Sequence, residues 1–366
     1  MHTEVDSKLH TLLNANRDFA LSKEGFTNHC PMALCALADM GASAARLQDF
    51  FDYWAQRYAL HAAPVTDVIE SADWRQAYGR KDAFNPLQRC FANWIASDGY
   101  AEVIPAVFPC LVAAPASVAF HALIRLGHAL AVNNDDEIAA GLAAFVSNPR
   151  VLAPGRGPNP NAAKASAAPV SPNSVAEELR LLQHACARIQ SSGDWIDDRL
   201  AHVAQHSDFI EAFRPITASP ERIDEIAEAA IQLFWRTEHF TALHMVTALH
   251  AARRVCTRLP IAEAATLTAE LWRAFCAAYV GVLATSDNAD WPLQPASAQQ
   301  STACDWQPLL QAAVASNDDH VIKLVATCWH EWQRVRVPQT PQAPATSARL
   351  YYLAAARACG INTATM

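Results

Sequence analysis

FTALHMVTALHAAR, residues 240–253, reads as a helix made almost wholly of small and apolar residues, with one formal charge, Arg253, at its far end. A helix apolar on all sides belongs inside a protein. Two histidines interrupt it, His244 and His250, and a buried imidazole must find a partner. They lie six residues apart, about 240° around a helix, so they cannot both point directly at one centre. One is a ligand candidate; the other orients a neighbour or closes a helix contact. Thr247 shares the face of His244 and is placed to hydrogen-bond a substrate.

Three other segments repeat the pattern of a histidine entering an apolar run: NHCPMALCAL (28–37), FHALIRLGHAL (120–130) and NDDHVIKLVA (317–326). We expect all four to converge on one site, a metal. Asn28 is a candidate N-cap, with Pro31 in the first helical turn, and this places His29 at a helix start. In the second segment His121 and His128 are seven apart and share a face with Arg125 between them. A guanidinium there would repel a metal, so either Arg125 turns to an anion or only one histidine is a ligand. In the third, Asn317 can cap a helix, and Asp318 and Asp319 suit its positive end. His320 and Lys323 are three apart and share a face. Desolvation and the helix dipole both favour the neutral amine of a buried Lys323. Such an amine can serve as a base or, with carbon dioxide, form a carbamate, an oxygen donor that could join His320 on a metal. Glu24, Asp39 and Glu238 are candidate carboxylates outside any recognisable pair.

Outward from these segments the chain keeps reading as helices. Ser43 opens one whose Leu47, Phe50, Phe51, Trp54 and Tyr58 follow the spacing of a buried face. Residues 64–84 are loop-like, with Trp74 and Tyr78 as packing anchors. Further helices are expected near 86–97, 100–113, 115–132, 135–147, 175–191, 195–206, 219–235, 261–284, 306–315, 318–334 and 347–359. Alternating β-branched runs do not occur. The expectation is an all-α fold, one large multi-helix domain over 1–366 with a central cavity. A mobile loop is expected at about 148–174 and a linker at about 337–347, both rich in proline and small residues. GRG at 155–157 follows no strand, so it is not a dinucleotide loop.

The 366 residues are 52% apolar with net charge −8, which argues against nucleic acid. No apolar run reaches the ~20 residues of a membrane span, and the N-terminus lacks a signal-peptide core; the chain reads as soluble and cytoplasmic. None of the ten cysteines forms a CxxC pair, so they read as buried reduced thiols, with Cys30, beside His29, the one to watch.

In order and spacing, NHCPMALCALADMGAS with RLQDFFDYW, then FHALIRLGHAL, FTALHMVTALHAARRV and NDDHVIKL resemble the questin oxidase-like family over about residues 25–335. The resemblance implies an all-helical oxygenase of aromatic, polyketide-like small molecules, acting by oxidative ring cleavage or Baeyer–Villiger-like oxygen insertion. It implies a non-haem Fe(II) held by His29, His121, His244 and His320 with Lys323 carboxylated, although His250 remains an alternative to His244. It also implies dioxygen as co-substrate and NADPH as reductant. Catalytic candidates are Lys323, His250 and Arg125. Two other readings compete: a metal-free enzyme using Lys323 and a histidine for acid–base chemistry, and a non-catalytic helical protein that binds small molecules.

Overall fold

The computed structural model describes residues 2–23, 26–62, 67–153, 170–217, 219–285, 304–336 and 345–361. The chain is all-α. Its first half holds α1 (His2–Asn16), α2 (Cys30–Asp39), α3 (Ala44–Tyr58), α4 (Phe84–Asp98), α5 (Tyr100–Val107), α6 (His121–Ala131) and α7 (Asp135–Ser147). Its second half holds α8 (Val175–Ala185), α9 (Ile196–Gln205), α10 (Ser207–Ala212), α11 (Pro220–Thr237), α12 (Phe240–Cys256), α13 (Ile261–Leu283), α14 (Gln307–Ala315), α15 (Asp319–Arg336) and α16 (Ala345–Ala358). The only sheet among the described residues is a two-residue antiparallel ladder, β1 (Ser22–Lys23) with β2 (Phe26–Thr27). No described helix is long and apolar enough to cross a membrane.

The helix read first, α12, is the axis of the packing. It touches α6, α11, α13 and α15, and twelve of its residues are buried. Small residues let α6 approach it closely: a Cβ on Gly127 would meet the Cβ of Ala251 at 2.5 Å. Around this pair α7 covers α6 and α4, and α2 packs on α6 and α15.

Several boundaries are set by capping side chains. The Ser43 hydroxyl accepts from Arg46 N, Asn134 from Glu137 N and Ser219 from Arg222 N, each taking an amide that the helix itself leaves without a partner. Trp74 is fully buried and Tyr78 half-buried, in and beside a short 3-10 turn (Trp74–Ala77). Three boundaries differ from their expectations. The helix expected to reach 113 ends at Val107 and gives way to a 3-10 turn (Phe108–Cys110), and the one expected to reach 191 ends at Ala185. The helix expected from 115 begins only at His121, because Val118, Ala119 and Phe120 take left-handed backbone angles of 52°, 52° and 71° in φ. The ten cysteines are free. Cys30 is fully buried and its thiol is pushed well up by desolvation, so it is an inert neutral group. Of the expected mobile loop, residues 154–169 lie outside the described residues, as do 337–344 of the linker and Glu24.

Candidate metal centre

Four helix N-termini meet at one point. His29 is the N-cap of α2, His121 the first residue of α6, His320 the second of α15, and His244 lies one turn into α12. Each start is shaped to aim its imidazole. The left-handed turn before α6 brings the Val118 carbonyl back over His121, where it accepts from both the backbone N–H (3.0 Å) and Nδ1 (2.6 Å). Three consecutive left-handed non-glycine residues are strained, and such strain persists where surrounding structure imposes it. In α12, His244 Nδ1 donates to the Phe240 carbonyl one turn earlier at 2.9 Å. At α15 the cap is Asp318 rather than Asn317: its carboxylate accepts from the N–H groups of His320 (2.8 Å) and Val321 (3.2 Å). Asn317 instead accepts from Arg46 at 2.9 Å, and the same guanidinium donates to the carbonyls of Val314 (2.6 Å) and Ser316. Arg46 thus clamps the turn that delivers α15. Arg46→Ala is expected to lower stability by about 2–3 kcal/mol in denaturant titrations; an unchanged midpoint would show that the turn holds itself.

The tautomers follow from these bonds. His29 Nδ1 donates to Asp319 Oδ1 at 2.7 Å, so His29, His121 and His244 each place their one proton on Nδ1 and leave Nε2 as a bare lone pair. Those lone pairs face one another: His29 Nε2 is 2.7 Å from His121 Nε2, which is 3.2 Å from His244 Nε2. His320 completes the group, its ring 4.7 Å from that of His29 and 5.5 Å from that of His244, with its buried Nε2 lacking any partner. Burial holds all four rings neutral, chiefly by desolvation; His244 is lowered to about 3. Three neutral donors turned on one another without a proton between them, with the unpartnered His320 Nε2 beside them, are unfavourable unless a cation lies among them.

The hub of the charge is Asp319, which the sequence reading used only to favour a helix start. Its Oδ1 lies 2.7 Å from His29 Nδ1, 3.1 Å from His320 Nδ1 and 3.2 Å from Lys323 Nζ. Desolvation opposes its charge, but Lys323 and the histidines outweigh that and hold the carboxyl far below its usual range. Among the described residues, His29, Asp319 and His320 offer ligand atoms all within 4.8 Å of one another. Lys323 is 2% exposed. Desolvation lowers its amine and Asp319 partly opposes that shift. The i, i+4 spacing of Asp319 and Lys323 was the available signal. Phe240 also went unread: its ring packs 4.5 Å from that of His244 and 4.7 Å from that of His320.

The alternatives within each segment separate. His250 stands elsewhere, its Nδ1 2.8 Å from Glu331 Oε1 and its ring stacked on His330. Glu331, 2% exposed, also binds Arg253 and Arg334. The six-residue offset sends His250 to a different helix contact. Arg125 forms a two-pronged pair with Glu137, 2.7 and 2.9 Å, inside the core and away from the four-histidine group. This is the anion that the sequence left open. Thr247 bonds back to the carbonyls of Leu243 and His244 in its own helix instead of awaiting a substrate. His128 lines a separate cavity of about 410 Å³ with His10, Asp39 and Arg254. Of the other carboxylates considered, Asp39 pairs with His330 and Glu238 with Arg357.

A cavity of about 560 Å³ reaches the cluster from one flank. His29, Asp319 and His320 line it, and Tyr53, Trp54 and Tyr58 of α3 form an aromatic wall. His121 and His244 lie behind, within the protein. The cavity opens to solvent past Phe26, Tyr58 and Leu60, all exposed.

A search of curated proteins finds no match. A family model described as Questin oxidase-like matches residues 26–328, a span that contains His29, His121, His244, His320 and Lys323, and the chain belongs to that family of small-molecule oxidases.

Proposed function

We propose that the protein is a non-haem iron oxygenase of aromatic, polyketide-like molecules, with Fe(II) held by His29, His121, His244 and His320. The observation that carries this reading is the convergence of bare Nε2 lone pairs. Two imidazoles that bind one ion at about 2.0–2.1 Å in adjacent positions lie about 3 Å apart, and the separations of 2.7 and 3.2 Å bracket that value. Imidazole and an anionic oxygen suit iron. Four helix N-termini also point partial positive charge at the same place, so a dication there requires anionic oxygen close by. Asp319 is one source; Lys323 as its carbamate is the other.

Bound iron would supply the binding and reduction of dioxygen. The chain's own residues do the rest. Val118, Phe240 and Asp319 fix the rings so that no donor has to reorient. The aromatic wall of α3 holds a flat substrate against the exposed flank of the site, at His29 and His320. For Baeyer–Villiger-like insertion, one oxygen atom enters a ring carbon–carbon bond and the other leaves as water, with NADPH supplying two electrons. For the carbamate, neutral Nζ adds to carbon dioxide, a nitrogen–carbon bond forms and one proton is released.

The metal-free alternative draws on the same lysine: the 3.2 Å contact with Asp319 is also what a structural ammonium–carboxylate pair would make. Metal analysis separates the two. Wild-type protein exposed to Fe(II) under anaerobic conditions should retain iron, and bicarbonate should raise the loading toward one ion per chain. Lys323→Ala should bind iron about 10–100-fold more weakly, in the range seen when a supporting group is lost, stay folded, and ignore bicarbonate. Full loading of Lys323→Ala, with or without bicarbonate, would reduce Lys323 to the ion pair.

A further inference from the structure

The large cavity carries one cation that the oxygenase chemistry does not use. Of the charged residues lining it, Asp319 is engaged by His29, His320 and Lys323, and Asp318 caps α15. Arg57 is the remaining one. Its guanidinium lies over the ring of Tyr53, 4.6 Å from the centroid, and none of the acidic lining residues pairs with it. Tyr53 and Arg57 stand four apart on α3, as do Trp54 and Tyr58, whose rings are 5.9 Å apart. Two adjacent rows thus run along one end of α3, one aromatic throughout and one an aromatic ring topped by an exposed planar cation. His29 and His320 line the same cavity.

We propose that Arg57 selects the substrate: it anchors an acidic oxygen, carboxylate or phenolate, on a flat aromatic molecule whose rings lie along Tyr53, Trp54 and Tyr58. The inference rests on reading this cavity as the substrate site, and it adds the charge class and the residue that reads it. A guanidinium stacked on a ring is already oriented, so little freedom is lost when it grips an acid. Its planar fork matches a carboxylate with two parallel hydrogen bonds and a phenolate with one. Anchoring the acid at Arg57 leaves the far ring of the substrate to extend toward His29 and His320.

The test compares anthraquinone-2-carboxylate with anthraquinone-2-carboxamide by equilibrium dialysis, on chelator-treated and on iron-loaded full-length protein. Wild type should prefer the carboxylate by about tenfold, the worth of one charge-assisted contact at a partly open site. Arg57→Gln should erase that preference and leave carboxamide binding and iron content unchanged; Arg57→Lys should keep part of it. Three results would overturn the proposal. They are the absence of any preference in wild type, full retention of the preference in Arg57→Gln, and equally weakened binding of both probes in that variant, which would reduce Arg57 to a prop for Tyr53. The chelated arm keeps the two readings apart: a preference that depends on Arg57 in a protein that never holds iron would refute the iron site and leave the anchor standing.

Discussion

His121→Ala is expected to abolish the stabilisation that Fe(II) confers on the protein. His121 Nε2 lies between those of His29 and His244, so removing its ring takes the central donor from the group. A ligand that binds only the folded state adds about 4 kcal/mol at a thousandfold excess over its Kd, and wild type should show that gain in anaerobic denaturation. The variant should show almost none at the same iron concentration. Loss of a mere supporting bond would weaken the metal by about 10–100-fold, so the comparison with Lys323→Ala ranks the two residues. His250→Ala serves as the control. It should keep the whole iron-dependent gain while lowering the stability of the metal-free protein, because Glu331 would lose a partner inside the core. An undiminished iron response in His121→Ala would remove the metal reading of the cluster.

The second large effect lies outside the site. Arg125→Met should destabilise the fold by about 3–5 kcal/mol, because it strands the Glu137 carboxylate without its cation. Side-chain exposure is 4% for Arg125 and 1% for Glu137, so water cannot take over. Arg125→Met combined with Glu137→Leu should recover most of that loss, since an apolar pair of similar bulk removes both buried charges together. Urea titration of the two single variants and the double measures the coupling directly. The double variant also decides whether Arg125 takes part in the reaction. It should turn over substrate at close to the wild-type rate; a folded but inactive double variant would return Arg125 to the catalytic group.

The helices and the four histidine segments were legible because their signals are local. A small apolar run such as 240–253 has nowhere to go but inside, Ser43, Asn134 and Ser219 announce helix starts through their own side chains, and a histidine in an apolar run betrays itself by the partner it needs. The choice between His244 and His250 was bounded by helical geometry but not made by it, since six residues forbid a shared direction without saying which direction faces the site. Tertiary packing made the choice by putting Glu331 of α15 beside His250 and His121 of α6 beside His244. The same holds for Arg125, whose anion is on α7, and for Asn317, which yielded its cap to Asp318 once Arg46 of α3 had claimed it. Nor does any local rule foresee left-handed angles at Val118, Ala119 and Phe120, because these residues disfavour them and only contacts from the surrounding helices hold them there. The sequence determined which side chains must be satisfied inside an all-helical protein; only the tertiary structure decided what satisfies each, because partners on different helices are chosen by packing, and packing has no period along the chain.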